Sequence, residues 1–152
     1  MAGRAQKSIG PRLAFWDTSA LVRLCVRESA TPRAIALYES YETVIWWATP
    51  VEIASALARL ARMKRLSSED WAKARALAAD LAQEWRVIQP SNSLRARAME
   101  LVGRYDLASG DALQLSAALD WCEGAPLGKV FLTSDQKLRE AAVLTGFEGS
   151  LM

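Results

Sequence analysis

The stretch Leu13-Ala14-Phe15-Trp16-Asp17-Thr18-Ser19-Ala20-Leu21 decides how this chain is read. Four apolar residues make a short strand, Asp17 ends it, and Thr18-Ser19 opens a helix running to about residue 27. The same grammar recurs twice. Residues 43–48 (TVIWWA) are β-branched and aromatic, the composition of a buried parallel strand, and Thr49-Pro50-Val51-Glu52 follows as a helix start. Residues 130–133 (VFLT) form another strand, followed by Ser134 and Asp135 at the head of the last long helix. Strands alternating with helices predict an α/β fold with a central, mostly parallel sheet flanked by helices.

The remaining elements fill in around this frame. Thr31-Pro32 places a capping hydroxyl before proline at the first helical position. Ser67 or Ser68 caps a helix whose apolar stripe is Trp71, Ala74, Leu77, Ala78 and Leu81. Residues 85–89 (WRVIQ) read as a strand closed by Pro90, and residues 91–107 as a helix. A break at Ala108-Ser109-Gly110 precedes a helix from Asp111 to about Cys122. A terminal strand in residues 146–152 is only weakly signalled.

At 152 residues the chain fits one domain that buries roughly two-thirds of its unfolded surface. Residues 1–12 read as a disordered tail, leaving 13–152 as a single domain. The formal net charge of +2 excludes a polybasic body. Basic side chains are nevertheless clustered: Arg4, Lys7 and Arg12 in the tail, and Arg59, Arg62, Lys64 and Arg65 in RLARMKR, neither segment holding an acid. Each reads as a solvated surface or as a phosphate contact. Cys25 and Cys122 match no metal or redox spacing and are expected to be buried thiols in a reducing cytoplasm. No apolar stretch approaches the roughly 20 residues that span a bilayer. The basic N-terminus leads into a segment containing Asp17 and Arg23, a poor secretory signal.

Four carboxylates carry the chemistry: Asp17, Glu52, Asp111 and Asp135. Three directly follow strands, and residues just past the carboxyl ends of strands in an open α/β sheet converge in one crevice. Each alone also reads as a helix terminus. Thr49-x-x-Glu52 is a capping box in sequence, Asp111 an N-cap with Gln114 in the reciprocal position, and Asp17 and Asp135 simple caps. Together they are harder to explain so, because capping is satisfied by Ser, Thr or Asn and needs no charge. Four acids in one crevice repel one another unless a cation sits between them. The chain has no histidine, and hard oxygen ligands without imidazole point to magnesium or manganese rather than zinc. Of the other acids, Glu69, Asp70, Asp80 and Glu84 read as solvated helix residues. Glu28, Asp106, Asp120 and Glu123 lie near element ends, and Glu28 is the one to watch.

At these residues the sequence resembles the PIN-domain ribonucleases, most closely the toxin subunits of VapBC-type toxin–antitoxin pairs. The resemblance rests on DTSAL at Asp17, TPVEIASAL around Glu52, ASGDALQLSAAL around Asp111 and FLTSDQKLREAA around Asp135. It runs from Leu13 to about Gly146. It implies a three-layer domain that cleaves RNA endonucleolytically, with the four acids holding one or two Mg2+ or Mn2+ ions. Asp17 and Asp111 would be the most direct ligands, Glu52 and Asp135 completing the pocket. Thr18, Ser19 and Ser134 have hydroxyls placed to orient carboxylates, contact a phosphate, or merely cap helices. With no histidine, a metal-activated water is the expected nucleophile. The resemblance further implies a VapB-like antitoxin lying across residues 53–60 and 71–81, and a homodimer, with no role for a membrane. The chain departs from the family pattern in its N-terminal extension and in ending soon after the last helix, which puts the edge strand in doubt.

Readings from other classes are a silent binding module whose acidic pocket grips a basic partner segment, and a phosphatase or receiver domain. A haloacid-dehalogenase-like phosphatase wants a second Asp two residues after Asp17, where Ser19 stands. A receiver wants a phospho-accepting Asp after a middle strand, and WRVIQPS supplies none.

Overall fold

The computed structural model describes residues 10–27 and 29–151. Its strands are β1 Leu13–Trp16, β2 Glu42–Trp46, β3 Arg86–Ile88, β4 Val130–Thr133 and β5 Glu148–Leu151. Its helices are α1 Thr18–Cys25, α2 Pro32–Ser40, α3 Thr49–Arg62, α4 Ser68–Ala82, α5 Asn92–Tyr105, α6 Ser109–Trp121 and α7 Gln136–Thr145. The strands form one sheet in the order β3-β2-β1-β4-β5, and every pairing is parallel. The chain builds outward from β1 in one direction through β3, then returns to lay β4 on its other side. β1 and β4 therefore flank the switch point, where an α/β sheet opens a crevice at its carboxyl end.

Successive side chains of a strand point to opposite faces, and here both faces are covered. Phe15, Val44, Trp46 and Phe131 pack with Leu94, Leu101, Leu115 and Leu138 from α5, α6 and α7. Ala14, Trp16, Ile45 and Leu132 pack with Leu21, Ile53, Leu57 and Ala74 from α1, α3 and α4. The strands read as unbroken apolar runs because each face has its own core. Phe15, Phe131 and Leu132 are fully buried, each contributing about 1.5–3 kcal/mol of apolar burial. Phe15 and Phe131 also stack at 5.4 Å across the β1–β4 pair. Cys25 and Cys122 are both free and buried.

Hydroxyls cap three helices, at Thr31 as expected, at Ser67 of the two serines offered, and at Ser91, expected to be the first helical residue. Thr31 accepts the Ala34 amide, Ser67 the Asp70 amide and Ser91 the Leu94 amide. The α4 stripe is less buried than its spacing suggests. Ala74 is enclosed, Trp71, Ala78 and Leu81 only partly so, and Leu77 is 41% exposed.

Several expectations are corrected. Of the expected tail, residues 1–9 lie outside the described residues, as does Glu28, but Arg12 is held: its carbonyl accepts the Glu42 amide and its guanidinium donates to the Tyr41 hydroxyl. Helix α1 stops at Cys25 and β2 at Trp46, each two residues short of its expected end. Helix α6 begins at Ser109 rather than Asp111, because Ser and Gly cost little in a first turn whose amides have no intrahelical acceptor anyway. The weakly signalled terminal strand forms as β5, paired along Val130–Thr133. Its signal is faint because Gly149 interrupts the apolar pattern. A Cβ there would sit 2.8 Å from Val143 Cγ2, so α7 packs against bare backbone. No helix among the described residues is long and apolar enough to cross a membrane.

Candidate active site

All four predicted acids border one open cleft of about 570 Å3 at the carboxyl end of the sheet, with Thr18, Ser19, Ser55 and Arg59 on its walls. Each arrives by a different route. Asp17 follows β1, and its amide still bonds to the Leu132 carbonyl, so the sheet itself fixes its backbone. Glu52 lies in the first turn of α3, after β2. Asp135 caps α7 just past β4, accepting the Leu138 amide at 2.7 Å. Asp111 comes from the first turn of α6 with no strand before it.

Asp17 is only 4% exposed and all of its side-chain hydrogen bonds among the described residues fall on Oδ2. Ser19 donates its hydroxyl at 2.5 Å and its amide at 3.3 Å. Thr133 donates at 2.9 Å, because pairing Trp16 with Leu132 sets Thr133 beside Asp17. Both hydroxyls in turn accept amides, Ser19 from Ser134 and Thr133 from Asp135. Their protons are thereby directed at the carboxylate. Burial pushes the Asp17 carboxyl above its ordinary value, the hydrogen bonds from Ser19 and Thr133 oppose that, and the nearby Glu52 charge adds to it.

A second network orders Glu52. Thr18 donates to Glu52 Oε2 at 2.6 Å, and Gln114 Nε2 lies 3.0 Å from the same oxygen, 2.8 Å from Thr18 Oγ1 and 3.2 Å from Thr49 Oγ1. The capping-box reading of Glu52 is overturned here. The residue capping α3 is Ala48, Thr49 is already helical, and Glu52 turns toward α1 and α6. Asp111 likewise is not a cap: Ala108 holds that position, and Gln114 reaches away to Thr18 rather than back to the helix start. Asp17 and Asp135 do cap their helices while bordering the cleft, so for them both readings hold at once.

Asp111 makes no hydrogen bond or ion pair among the described residues. Its carboxyl is pushed up to about 6, first by burial and then by the charges of Asp17, Asp135 and Glu52, with Lys137 opposing. Three like charges felt by one acid favour whatever neutralises it, a proton or a cation. Among the described residues no group of three or more acids or cysteines is arranged so as to hold a metal ion directly. The donor set nonetheless fits a hard divalent cation. Hydroxyls and amides engage one oxygen of Asp17, Glu52 and Asp135 and leave the other uncommitted, and water ordinarily fills out the coordination of magnesium.

Three supporting residues were not singled out for the site from sequence: Thr133, Thr49 and Gln114. Gln114 had a legible signal, an amide within the apolar run ALQLSAAL, where an unsatisfied polar group is costly. Ser134, expected to orient a carboxylate, contact a phosphate or cap a helix, donates its hydroxyl to the Ser19 carbonyl at 3.4 Å, joining the β4 end to α1.

A family model described as PIN domain matches residues 14–144. No curated protein matches the chain. Among solved structures, PAE2754 from Pyrobaculum aerophilum is similar at a TM-score of 0.64 and 21% identity, covering 92% of this chain and 83% of that one. VapBC2 from Rickettsia felis, bound to a DNA fragment from their promoter, aligns with TM-score 0.60 and 12% identity over 90% of this chain and 98% of that one. A toxin–antitoxin complex from Klebsiella pneumoniae aligns with TM-score 0.59 and 19% identity over 82% and 88%. At such identities the likeness establishes the fold.

Proposed function

This chain belongs to the PIN-domain family, whose members are nucleases, and we propose that it is a divalent-metal-dependent endoribonuclease serving as the toxin of a toxin–antitoxin pair. The observation that carries this reading is the convergence of Asp17, Glu52, Asp111 and Asp135 on one cleft without an ion-pairing base for any of them among the described residues. These four would hold one or two Mg2+ or Mn2+ ions. When bound, such an ion offsets the charge of a phosphodiester and acidifies a coordinated water.

The protein's own residues supply placement. Ser19 and Thr133 fix one oxygen of Asp17, so its carboxylate has a single orientation before any ligand arrives. Glu52, Ser55, Ala56 and Arg59 follow helical spacing along α3 and line the same wall of the cleft. Arg59 has no ion pair among the described residues and stands two turns from Glu52, suited to a backbone phosphate entering the acidic site. The run from Arg59 to Arg65 continues that positive charge away from the cleft.

The antitoxin part of the proposal draws on two observations. Two of the similar structures are, by their own descriptions, a toxin–antitoxin complex and VapBC2. A narrow apolar groove between α3 and α4, lined by Pro50, Ala54, Leu57, Ala78 and Ala82, offers a VapB-like partner a surface beside the cleft. A homodimer in the cytoplasm is part of the same reading, with Trp47, Val51 and Met99 among the large apolar side chains left exposed.

The decisive experiment is incubation of the purified protein with total cellular RNA, with Mg2+ or Mn2+ and with EDTA, followed by mapping of new ends. Discrete internal cuts that require the ion are expected. Cleavage undiminished by EDTA, or none with either ion, overturns the nuclease reading.

A further inference from the structure

Gln114 is fully buried, and its Nε2 touches side chains from two other helices: Thr18 of α1, and Thr49 and Glu52 of α3. Its Oε1 is buried and has no hydrogen-bond partner among the described residues. A buried amide acceptor without a partner weakens the folded state, and an apolar side chain of the same length would avoid the penalty. The unmet acceptor offsets part of what the Nε2 bonds contribute to stability. What the amide does supply is two N–H donors facing a carboxylate and the hydroxyl that carboxylate already binds.

We propose that Gln114 is a positioning residue for Glu52, holding Oε2 through a direct hydrogen bond and through Thr18 so that Oε1 is presented to a divalent cation. The proposal rests on the metal-dependent reading above. An amide suits this task better than Lys or Arg, because it orients the carboxylate without neutralising it and leaves the full negative charge for the ion. Thr18 completes the geometry, accepting from Gln114 and donating to Glu52. Gln114 also lies one turn after Asp111 on α6. The bonds that orient Glu52 therefore set the spacing between Asp111 and the acids of α1 and α3, coupling two halves of the site that lie far apart in sequence.

The test is calorimetric titration of the metal-free, full-length protein with Mn2+, comparing wild type with Gln114→Met, Thr18→Val and the double variant, alongside thermal melts without metal. Gln114→Met is expected to stay folded in the melts while its Mn2+ dissociation constant rises roughly tenfold or more, the usual loss when a ligand's supporting group is removed. Thr18→Val should shift affinity in the same direction. The double variant should lose little more than the worse single variant, since both act through Glu52. A folded Gln114→Met with wild-type affinity overturns the proposal, as do additive losses in the double variant. If Gln114→Met does not fold, Thr18→Val decides alone, and unchanged affinity there overturns it. If wild type itself binds no Mn2+, the metal-dependent reading falls and takes the proposal with it. Loss confined to the variants tests Gln114 only.

Discussion

Two clefts open at opposite ends of the same strands, and the four acids line the smaller one. At the amino end, where β1, β2 and β3 begin, Arg12, Tyr38, Tyr41, Glu42, Trp85 and Arg86 border a space of about 730 Å3. There two arginines stand among three acids, Glu39, Glu42 and Glu84. Arg86 pairs with Glu42 at 2.7 Å across neighbouring strands, and Arg12 lies over the Tyr41 ring. At the carboxyl end, in about 570 Å3, four acids face one arginine, and the groups that reach them are hydroxyls and amides. Neutral donors fix a carboxylate's direction while leaving its charge for something else to balance. Charge balance, rather than cavity size, distinguishes the two clefts, and the proposed cation site is the one with the larger excess of acids.

The sharpest way to break that contrast is a matched pair of substitutions. Asp17→Asn should reduce RNA cleavage by two orders of magnitude or more, while thermal stability stays level or rises, because Asn still caps a helix and a buried charge is removed. Glu42→Gln at the other end should leave cleavage unchanged and cost at most about 1 kcal/mol, as exposed ion pairs do. Equal losses of activity from the two would erase the distinction between the clefts.

Asp111 gives a pH-dependent version of the same contrast. Its folded-state carboxyl is raised to about 6 from an ordinary 3.8, so between those values the folded protein holds more proton than the unfolded chain. The stabilising contribution is complete below about pH 4 and is lost as pH rises through 6. Discounted for the solvent screening of this partly buried group, the effect is on the order of 1 kcal/mol. Melts of the metal-free protein should show this downward slope, and Asp111→Asn or added Mn2+ should flatten it. Mn2+ binding should run the other way, weakening as pH falls below 6 because protons compete for the ligand. A metal-free profile identical in wild type and Asp111→Asn would show that the acids do not sense one another.

The smallest effect belongs to Arg59, the one cation lining the cleft among the described residues. Arg59→Ala should raise the KM for RNA a few-fold and lessen the salt dependence of binding by about 0.7 in log–log slope, the share of one phosphate contact on a single strand. Mn2+ affinity should not change. A slope identical to wild type would remove Arg59 from the substrate path.

The strands and most helix starts were legible because their signals are local. Leu13–Trp16 and Val130–Thr133 stand as read, Thr31 caps as its neighbours suggest, and of Ser67 and Ser68 it is Ser67 that caps. The failures have a common cause. Thr49-x-x-Glu52 and Asp111 with Gln114 satisfy local capping patterns, yet each loses to partners elsewhere in the chain. β5 was faint because the glycine that lets α7 approach also removes the apolar signal. Ser134 and Thr133 are adjacent hydroxyls, and only the β1–β4 register decides which of them faces Asp17.

The sequence by itself determined that acids would follow three apolar strands and that histidine would take no part, because residue type and strand alternation are fixed along the chain. In a parallel sheet those facts already send three carboxylates to one edge. Tertiary structure alone decided that Asp111 joins them without a strand of its own, which oxygen of Asp17, Glu52 and Asp135 is engaged, and that Gln114 meets Thr18 from 96 positions away. Hydrogen-bond partners are set by how helices pack across the sheet, and no local periodicity encodes that distance.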